Sequence, residues 1–527
     1  MLWGVASPSL TAGSSSHWAS PEWHLVKGVF RCIFTPTKRG VEGLKSMQWK
    51  TPMFEPMRKL MGRCGRSPRK TMEAQRSQLL RRGFGEMTRV LSRWIDPKLM
   101  APENEGNFSR VRCFDFATTV QGFLWQILQG QASCRQVVQQ VQATRAAASA
   151  QIPDSGTAAY CQARAKLPMK RLHQINEALQ QKISGLVRPQ DLWFGREVKL
   201  LDCTSVSMED TPANAQVYAY ANGQKPGCGF PLVYLAGIFS LSSGAWLGYA
   251  ASPENRHDLT LSVDLVRKHI QPGDILVADR AYCAYWMLAL TKVLGGDVLV
   301  RLRQTRVTDL GPRQKEKVIS WEKPSRGAGC PLSAEEYAAL PQKLTVRLVR
   351  RKLEAKGQRT REVILATTLC EKAISGEELG ALYLRRWKVE LHFDDLKTTL
   401  GMDHLKSKSP AMVERALAVY HCAHNLVRAL MLEASVRAEV PLGRLSFKGS
   451  SGALLKAING PKGPIRKTPG RWEILLDMAA DDLLPVRPNR REPRAIKRRP
   501  KNYQRLTAPR SLFQEVPHRH RTKKRLN

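Results

Sequence analysis

Apolar residues recur at helical spacing from about Phe114. In TTVQGFLWQILQG, Val120, Phe123, Leu124, Ile127 and Leu128 share one face, and SCRQVVQQVQATRAAA continues in the same manner. After the turn Pro153-Asp154-Ser155-Gly156, the segment AAYCQARAKLPMKRLHQINEALQQKISGL reads as two short helices. Around Leu192 the pattern changes. VKLLDCT (198–204) is a buried strand and a polar loop follows to Pro226. From Gly227 to Pro253 no charged residue occurs, and Phe230–Ala251 is long enough to span a bilayer. Ser242-Ser243-Gly244 is a turn signal between two strand-length flanks, so a buried β-hairpin is the better reading.

Further along, LTLSVDLVRKHI predicts an amphipathic helix that ends at Pro272-Gly273. The strand DILVAD (274–279), a helix over Tyr282–Val293 and the strand DVLVRLR (297–303) follow. Strand, hairpin, helix, strand, helix, strand is the order of an α/β fold with a mixed sheet flanked by helices. Between 304 and 368 the segments KVISWEK, KLTVRLVRRKL and REVILATTL alternate as strands do, which predicts a β-rich insertion subdomain. A long helix, about Gly376 to Leu400, resumes the α/β layer, and another covers Pro410–Glu433. The expected division is a poorly defined basic extension (1–110), a helical DNA-binding domain (111–190), a core in two parts (191–303 and 369–435) around the insertion (304–368), and a C-terminal region with a basic tail (436–527).

Charge narrows the class of partner. The chain of 527 residues carries 84 Lys plus Arg against 45 Asp plus Glu, a net charge of +39. A field of that sign attracts polyanions, nucleic acid first and an acidic membrane surface second. The bases are uneven: residues 45–93 hold 13 Lys or Arg against 3 Glu, and beyond Pro485 there are 15 against 2. The first stretch reads equally well as an arm on DNA or as a solvated helix. Gln162, Arg164, Lys166, Lys170 and Arg171 make the helical region basic as well. Eleven scattered cysteines without a C-x-x-C pair fit a reducing cytosol, and no secretory signal opens the chain.

Two aspartates stand at the C-terminal ends of buried strands, Asp202 in KLLDCT and Asp279 in ILVADRAY. A carboxylate there costs free energy unless a cation or hydrogen bonds neutralise it. Either residue alone could equally cap the next loop. On the long helix, at about 100° per residue, Tyr383, Arg386, Glu390 and Lys397 fall within an arc of roughly 60°, beside an apolar stripe of Leu382, Val389, Phe393, Leu396 and Leu400. Two strand-end aspartates and a helix-borne glutamate are the ligand types that hard divalent ions require. Two such ions about 3.5–4 Å apart would stabilise both the attacking and leaving oxygens of an in-line phosphoryl displacement, while the bases and the phenol hold phosphates.

LYLRRWKVELHFDDLK matches, at Tyr383, Arg386, Glu390 and Lys397, the Y-x2-R-x3-E-x6-K signature of the insertion-sequence-four (YREK) class of bacterial DDE transposases. LLDCTSVSMEDTP resembles that family's first-Asp block and GDILVADRAYC its second. QKPGCGFP, RLRQTR, KTTLGMDHLKSKSP and REPRAIKRRPKNY extend the likeness over roughly residues 110–510. The resemblance implies an RNase H-like core interrupted by a β-rich insertion, with Asp202, Asp279 and Glu390 as catalytic metal ligands. It also implies two Mg2+ ions, which Mn2+ can replace. Tyr383, Arg386 and Lys397 carry over as contacts to the terminal phosphates of DNA. Arg280 is a further candidate contact, and Trp321 could stack on a flipped base, though a core or edge-strand tryptophan is the plainer account. The partners implied are the element's terminal inverted repeats, target DNA and a second copy of the chain, in a bacterial cytoplasm at the nucleoid. Two positions depart from the pattern. His257-Asp258 stands where relatives often have His-Glu, with Asp258 well placed to cap a helix, and the YNL-like segment reads His424-Asn425-Leu426. The expected activity is cut-and-paste transposition through a hairpin intermediate. An RNase H-like metal-dependent nuclease and an inactive DNA-binding derivative are the alternatives.

Overall fold

Alternation along the strands of 198–301 decides the architecture. The computed structural model describes residues 85–486 except 103–104, 110–111, 148, 221–228, 255–257, 353–361 and 460–469, together with 512 and the paired strands Trp23–Val26 and Val29–Cys32. That pair belongs to a separate unit, Met1–Arg69. Most of the basic stretch 45–93, His257 and nearly all of the tail beyond Pro485 lie outside the described residues.

Nine strands form the main sheet. They are β1 (Val198–Met208), β2 (Leu232–Ser240), β3 (Trp246–Ser252), β4 (Ile275–Ala278), β5 (Asp297–Arg301), β6 (Glu316–Glu322), β7 (Lys343–Lys352), β8 (Glu362–Thr367) and the two-residue β9 (His404–Leu405). Their order is β3-β2-β1-β4-β5-β8-β7-β6, with β9 beside the end of β1. β1, β2 and β3 make an antiparallel meander, whereas β1, β4 and β5 run parallel. A meander joined to two parallel strands through its first strand is the RNase H-like arrangement. Within the uncharged stretch, residues 232–252 form the β2-β3 hairpin, and no described helix is long and apolar enough to cross a membrane.

Neighbouring residues on one strand enter different layers, as a period of two requires. Leu200, Ile275, Val277 and Leu299 pack on one face, and Leu201, Leu276, Ala278, Val298 and Val300 on the other. The second face is covered by the helices Asp258–His269 and Tyr285–Val293. The first receives the helical N-terminal region, the segment 376–400 and the long helix Pro410–Ala438.

The strands expected in a separate insertion continue this same sheet. β8 pairs antiparallel with β5, and β7 and β6 extend the row. The physical reason is an open edge: β5 would otherwise leave a row of backbone donors and acceptors unpaired.

In the N-terminal region, the helices are α1 (Phe116–Leu128), α2 (Cys134–Ala147), α3 (Ala158–Ala165) and α4 (Met169–Ser184). The Asp115 carboxylate caps α1 by accepting from the Thr118 N–H at 2.7 Å. α1 is buried on nearly every side rather than along one stripe. Its buried Gln126 accepts from Tyr160 at 3.1 Å and from Arg164 at 3.0 Å. Arg171 lies 3.4 Å over the Phe116 ring and donates to the carbonyls of Leu99 and Ala101. Two of the five polar and basic residues that coloured this region therefore hold helices together instead of facing a partner.

Candidate active site

Asp202 lies on β1 two residues beyond Leu200, so its side chain shares that residue's face and meets the segment 376–400. Gly237 sits directly opposite it on β2. A Cβ at Gly237 would come within 2.9 Å of the Phe239 ring and 3.1 Å of Phe393, so the close approach of the helix depends on glycine. Asp279 follows the last residue of β4, and its carboxylate accepts from the Ala281 N–H at 2.7 Å to open a 3-10 turn, Arg280–Tyr282. The capping and functional accounts of this aspartate are thus compatible. Arg280 is half-buried beside it. Asp258 begins the helix Asp258–His269.

The helix expected to run unbroken from Gly376 to Leu400 departs from α pitch twice. It consists of α7 (Gly376–Leu384), a 3-10 turn (Arg385–Trp387), α8 (Lys388–Asp394) and a π turn (Asp395–Thr399). A constant 100° per residue therefore does not describe it, and the arc drawn from that rule is only a guide. The π turn has an identifiable partner. Asp395 turns inward to the buried Arg428, 3.5 Å away, and Arg428 also bonds the Nδ1 of His392. Burial, reinforced by the Arg428 charge, holds His392 far below the usual histidine range, so its neutral ring can accept.

The side chains of this segment reach Asp202, which stands within β1 rather than at the strand end expected for it, because β1 continues to Met208. Arg386 bridges two acids: Nη1 is 3.3 Å from Asp202 and Nη2 is 3.2 Å from Glu390. Asp202 also accepts from the Cys203 N–H at 2.9 Å. Its carboxyl is nevertheless pushed up to about 6. Burial is the main cause, the Cys203 N–H and Arg386 oppose it, and the charges of Asp279 and Glu390 add to it. Tyr383 is buried, and burial raises its phenol. Arg386 and Arg301 favour the phenolate and Asp279 opposes it. Lys397 donates to the Thr204 hydroxyl at 2.5 Å, two residues past Asp202 on the same face of β1. Asp202, Glu390, Arg386 and Tyr383 thus share one electrostatic neighbourhood with Asp279.

Among the described residues, no three His, Cys, Asp or Glu side chains converge closely enough to hold a metal ion as they stand. Arg386 is the cation between Asp202 and Glu390. The donor chemistry still suits a hard divalent ion, because Asp202 is buried with the charges of Asp279 and Glu390 acting on it, and burial above all pushes its carboxyl up to about 6.

Trp321 is placed differently from the base-stacking expectation. It is 4% exposed, its Nε1 donates to Asp309 at 3.1 Å, and Arg306 lies 4.3 Å over its ring. A side chain sandwiched this way is core, and no face of it is free to receive a base. Gly237, Thr204 and Arg428 were not anticipated. Thr204 could have been found by stepping two residues from Asp202. Arg428 is signalled by a lone charge inside the apolar run HNLVRALML.

Comparison with known proteins bears on this arrangement. Residues 193–426 match the family model of the transposase DDE domain. The span begins just before β1 and includes β1, β4 and α8, which carry or lead into all three acids. Residues 193–426 are thus a transposase DDE domain. The transposase InsG for insertion sequence element IS4, from Escherichia coli (strain K12), is 25% identical over 354 residues, covering 61% of this chain and 72% of that protein. A cryo-EM structure of the piggyBac transposase synaptic complex with hairpin DNA overlaps 78% of this chain and 85% of its own, at a TM-score of 0.38 and 11% identity.

Proposed function

We propose that this transposase cleaves the ends of an insertion sequence and joins them to target DNA, in a cut-and-paste reaction through a hairpin intermediate. The observation that carries the proposal is the bridge Asp202–Arg386–Glu390, with the Asp279 charge acting on Asp202. Three acids contributed by two adjacent strands and a helix have no structural task that requires them to face one another.

Asp202, Asp279 and Glu390 would hold two Mg2+ ions. When bound, such ions would supply Lewis-acid chemistry, acidifying water and offsetting negative charge on phosphoryl oxygens. The protein's own share is positional. β1 and β4 lie adjacent and parallel with Leu201 opposite Ala278, so the next residues, Asp202 within β1 and Asp279 just past β4, stand side by side. Packing of Val389 and Phe393 against the sheet sets Glu390 over them. Tyr383, Arg386, Lys397 and Arg280 supply hydrogen-bond donors around the acids, where the phosphates of a DNA end would lie. The partners are the element's terminal inverted repeats and target DNA, bound by two copies of the chain at the nucleoid.

Asp202→Asn, Asp279→Asn and Glu390→Gln should each abolish Mg2+-dependent cleavage of end DNA while binding to it persists in a gel-shift assay. Full cleavage by the Glu390→Gln protein would overturn the assignment of the third acid. Cleavage of unrelated structured DNA in preference to element ends would favour a nuclease. Binding without cleavage by the unaltered chain would favour a non-catalytic derivative.

A further inference from the structure

Arg386 is held more loosely than three other arginines that pair with carboxylates here. Arg196, Arg347 and Arg350 each meet a carboxylate at 2.6 Å, as charge-assisted hydrogen bonds do. Arg386 reaches Asp202 and Glu390 at 3.3 and 3.2 Å, and neither carboxylate receives it in a two-pronged geometry. The residue is only 8% exposed, yet its Nε–H is buried without an acceptor. An unsatisfied buried donor on a charged group is costly, and long contacts recover little of that cost. The guanidinium is thus wedged between two acids without being locked to either. Tyr383 and the Trp387 ring, 5.2 Å from the guanidinium, are its other neighbours, and the Nε–H still has no acceptor among the described residues.

We infer that Arg386 competes with the divalent cation for Asp202 and Glu390: loading the site requires the guanidinium to leave both carboxylates, and its displacement frees it for a phosphate oxygen. The inference rests on the reading of Asp202, Asp279 and Glu390 as metal ligands. Its physical basis is that a carboxylate oxygen engaged by a guanidinium N–H has one fewer lone pair directed at an ion, and two positive charges cannot occupy the same gap. A phosphate has the oxygen geometry to satisfy the guanidinium, including the stranded Nε–H. Because linkage is reciprocal, whatever draws Arg386 away tightens the ion, and the ion in turn exposes Arg386.

The test uses the full chain and Mn2+ alone, with free ion counted by electron paramagnetic resonance. Arg386→Ala should bind Mn2+ roughly tenfold more tightly than the unaltered chain, the scale expected when two weak charged contacts are removed. Arg301→Ala removes a neighbouring charge that contacts neither carboxylate and should change affinity by far less. Equal gains in both variants would mean that Arg386 acts only through its charge and would overturn the inference. A second readout needs no substitution. Modification of Arg386 by phenylglyoxal, followed by peptide mass spectrometry, should rise when Mn2+ is added, and unchanged labelling would also overturn it. Asp202→Asn separates the two levels of argument. If it binds Mn2+ as the unaltered chain does, the metal-site reading itself fails. If it loses the ion while Arg386→Ala gains nothing, only the competition fails.

Discussion

Replacing Asp202 with asparagine should stabilise the metal-free protein even as it removes cleavage. Asp202 has 21% of its side chain exposed, and its carboxyl is pushed from 3.8 up to about 6. Raising a carboxyl by that amount corresponds to roughly 3 kcal/mol of folding free energy lost once the group is ionised in both states. The sign follows from proton counting. Between pH 4 and 6 the folded protein holds a proton that the unfolded chain has released, so stability falls as pH rises through that window. Asparagine keeps the shape and carries no charge, so it avoids the loss, although Arg386 is left with Glu390 alone. A net gain of about 1–3 kcal/mol above pH 7 is therefore expected, appearing as a rise of a few degrees in melting temperature for a unit this large. Thermal unfolding in EDTA, followed by circular dichroism, would read it. The gain should shrink as pH falls and vanish only below 3.8, where Asp202 is neutral in the folded and unfolded states alike. A variant that melts lower than its parent at pH 7.5, or one whose difference does not depend on pH, would refute the account of Asp202 as a buried acid short of positive charge.

Three further outcomes follow from other contacts. Lys397→Ala should weaken complexes with element ends more than it weakens binding to random duplex, since Lys397 is fixed beside β1 by Thr204; equal losses in filter binding would make it part of the general positive field. Gly244→Ala should destabilise by at least about 1–3 kcal/mol in urea unfolding, because φ is +69° there and the new Cβ would stand 2.7 Å from the buried Arg428 guanidinium. With a net charge of +39, non-specific DNA affinity should fall steeply between 50 and 200 mM salt, by about a thousandfold if six phosphates are neutralised, and a flat salt profile would refute the electrostatic reading.

Much of the fold was legible because period-two burial is a local property. Strands β1, β4 and β5 and the 227–253 hairpin follow from runs such as KLLDCT and ILVAD, whose residues have nowhere to go but two apolar faces. The candidate acids were legible for a related reason: a carboxylate at the end of such a run is an anomaly that the chain itself exposes. Which strands pair across the sheet is not local. β8, β7 and β6 join the edge of β5 because an open edge favours pairing, and no residue in KVISWEK or REVILATTL announces its neighbour.

The sequence by itself determined the residue types of the site and their order along the chain, since spacing and chemistry are written there. Tertiary structure decided how they meet. A π turn answering to the buried Arg428 resets the helix between Glu390 and Lys397. Gly237 lets that helix close on Asp202, and Arg386 ends between two acids rather than on an outer face. It also buried Trp321 under Arg306. Each of these outcomes depends on contacts between segments distant in sequence, which local periodicity does not encode.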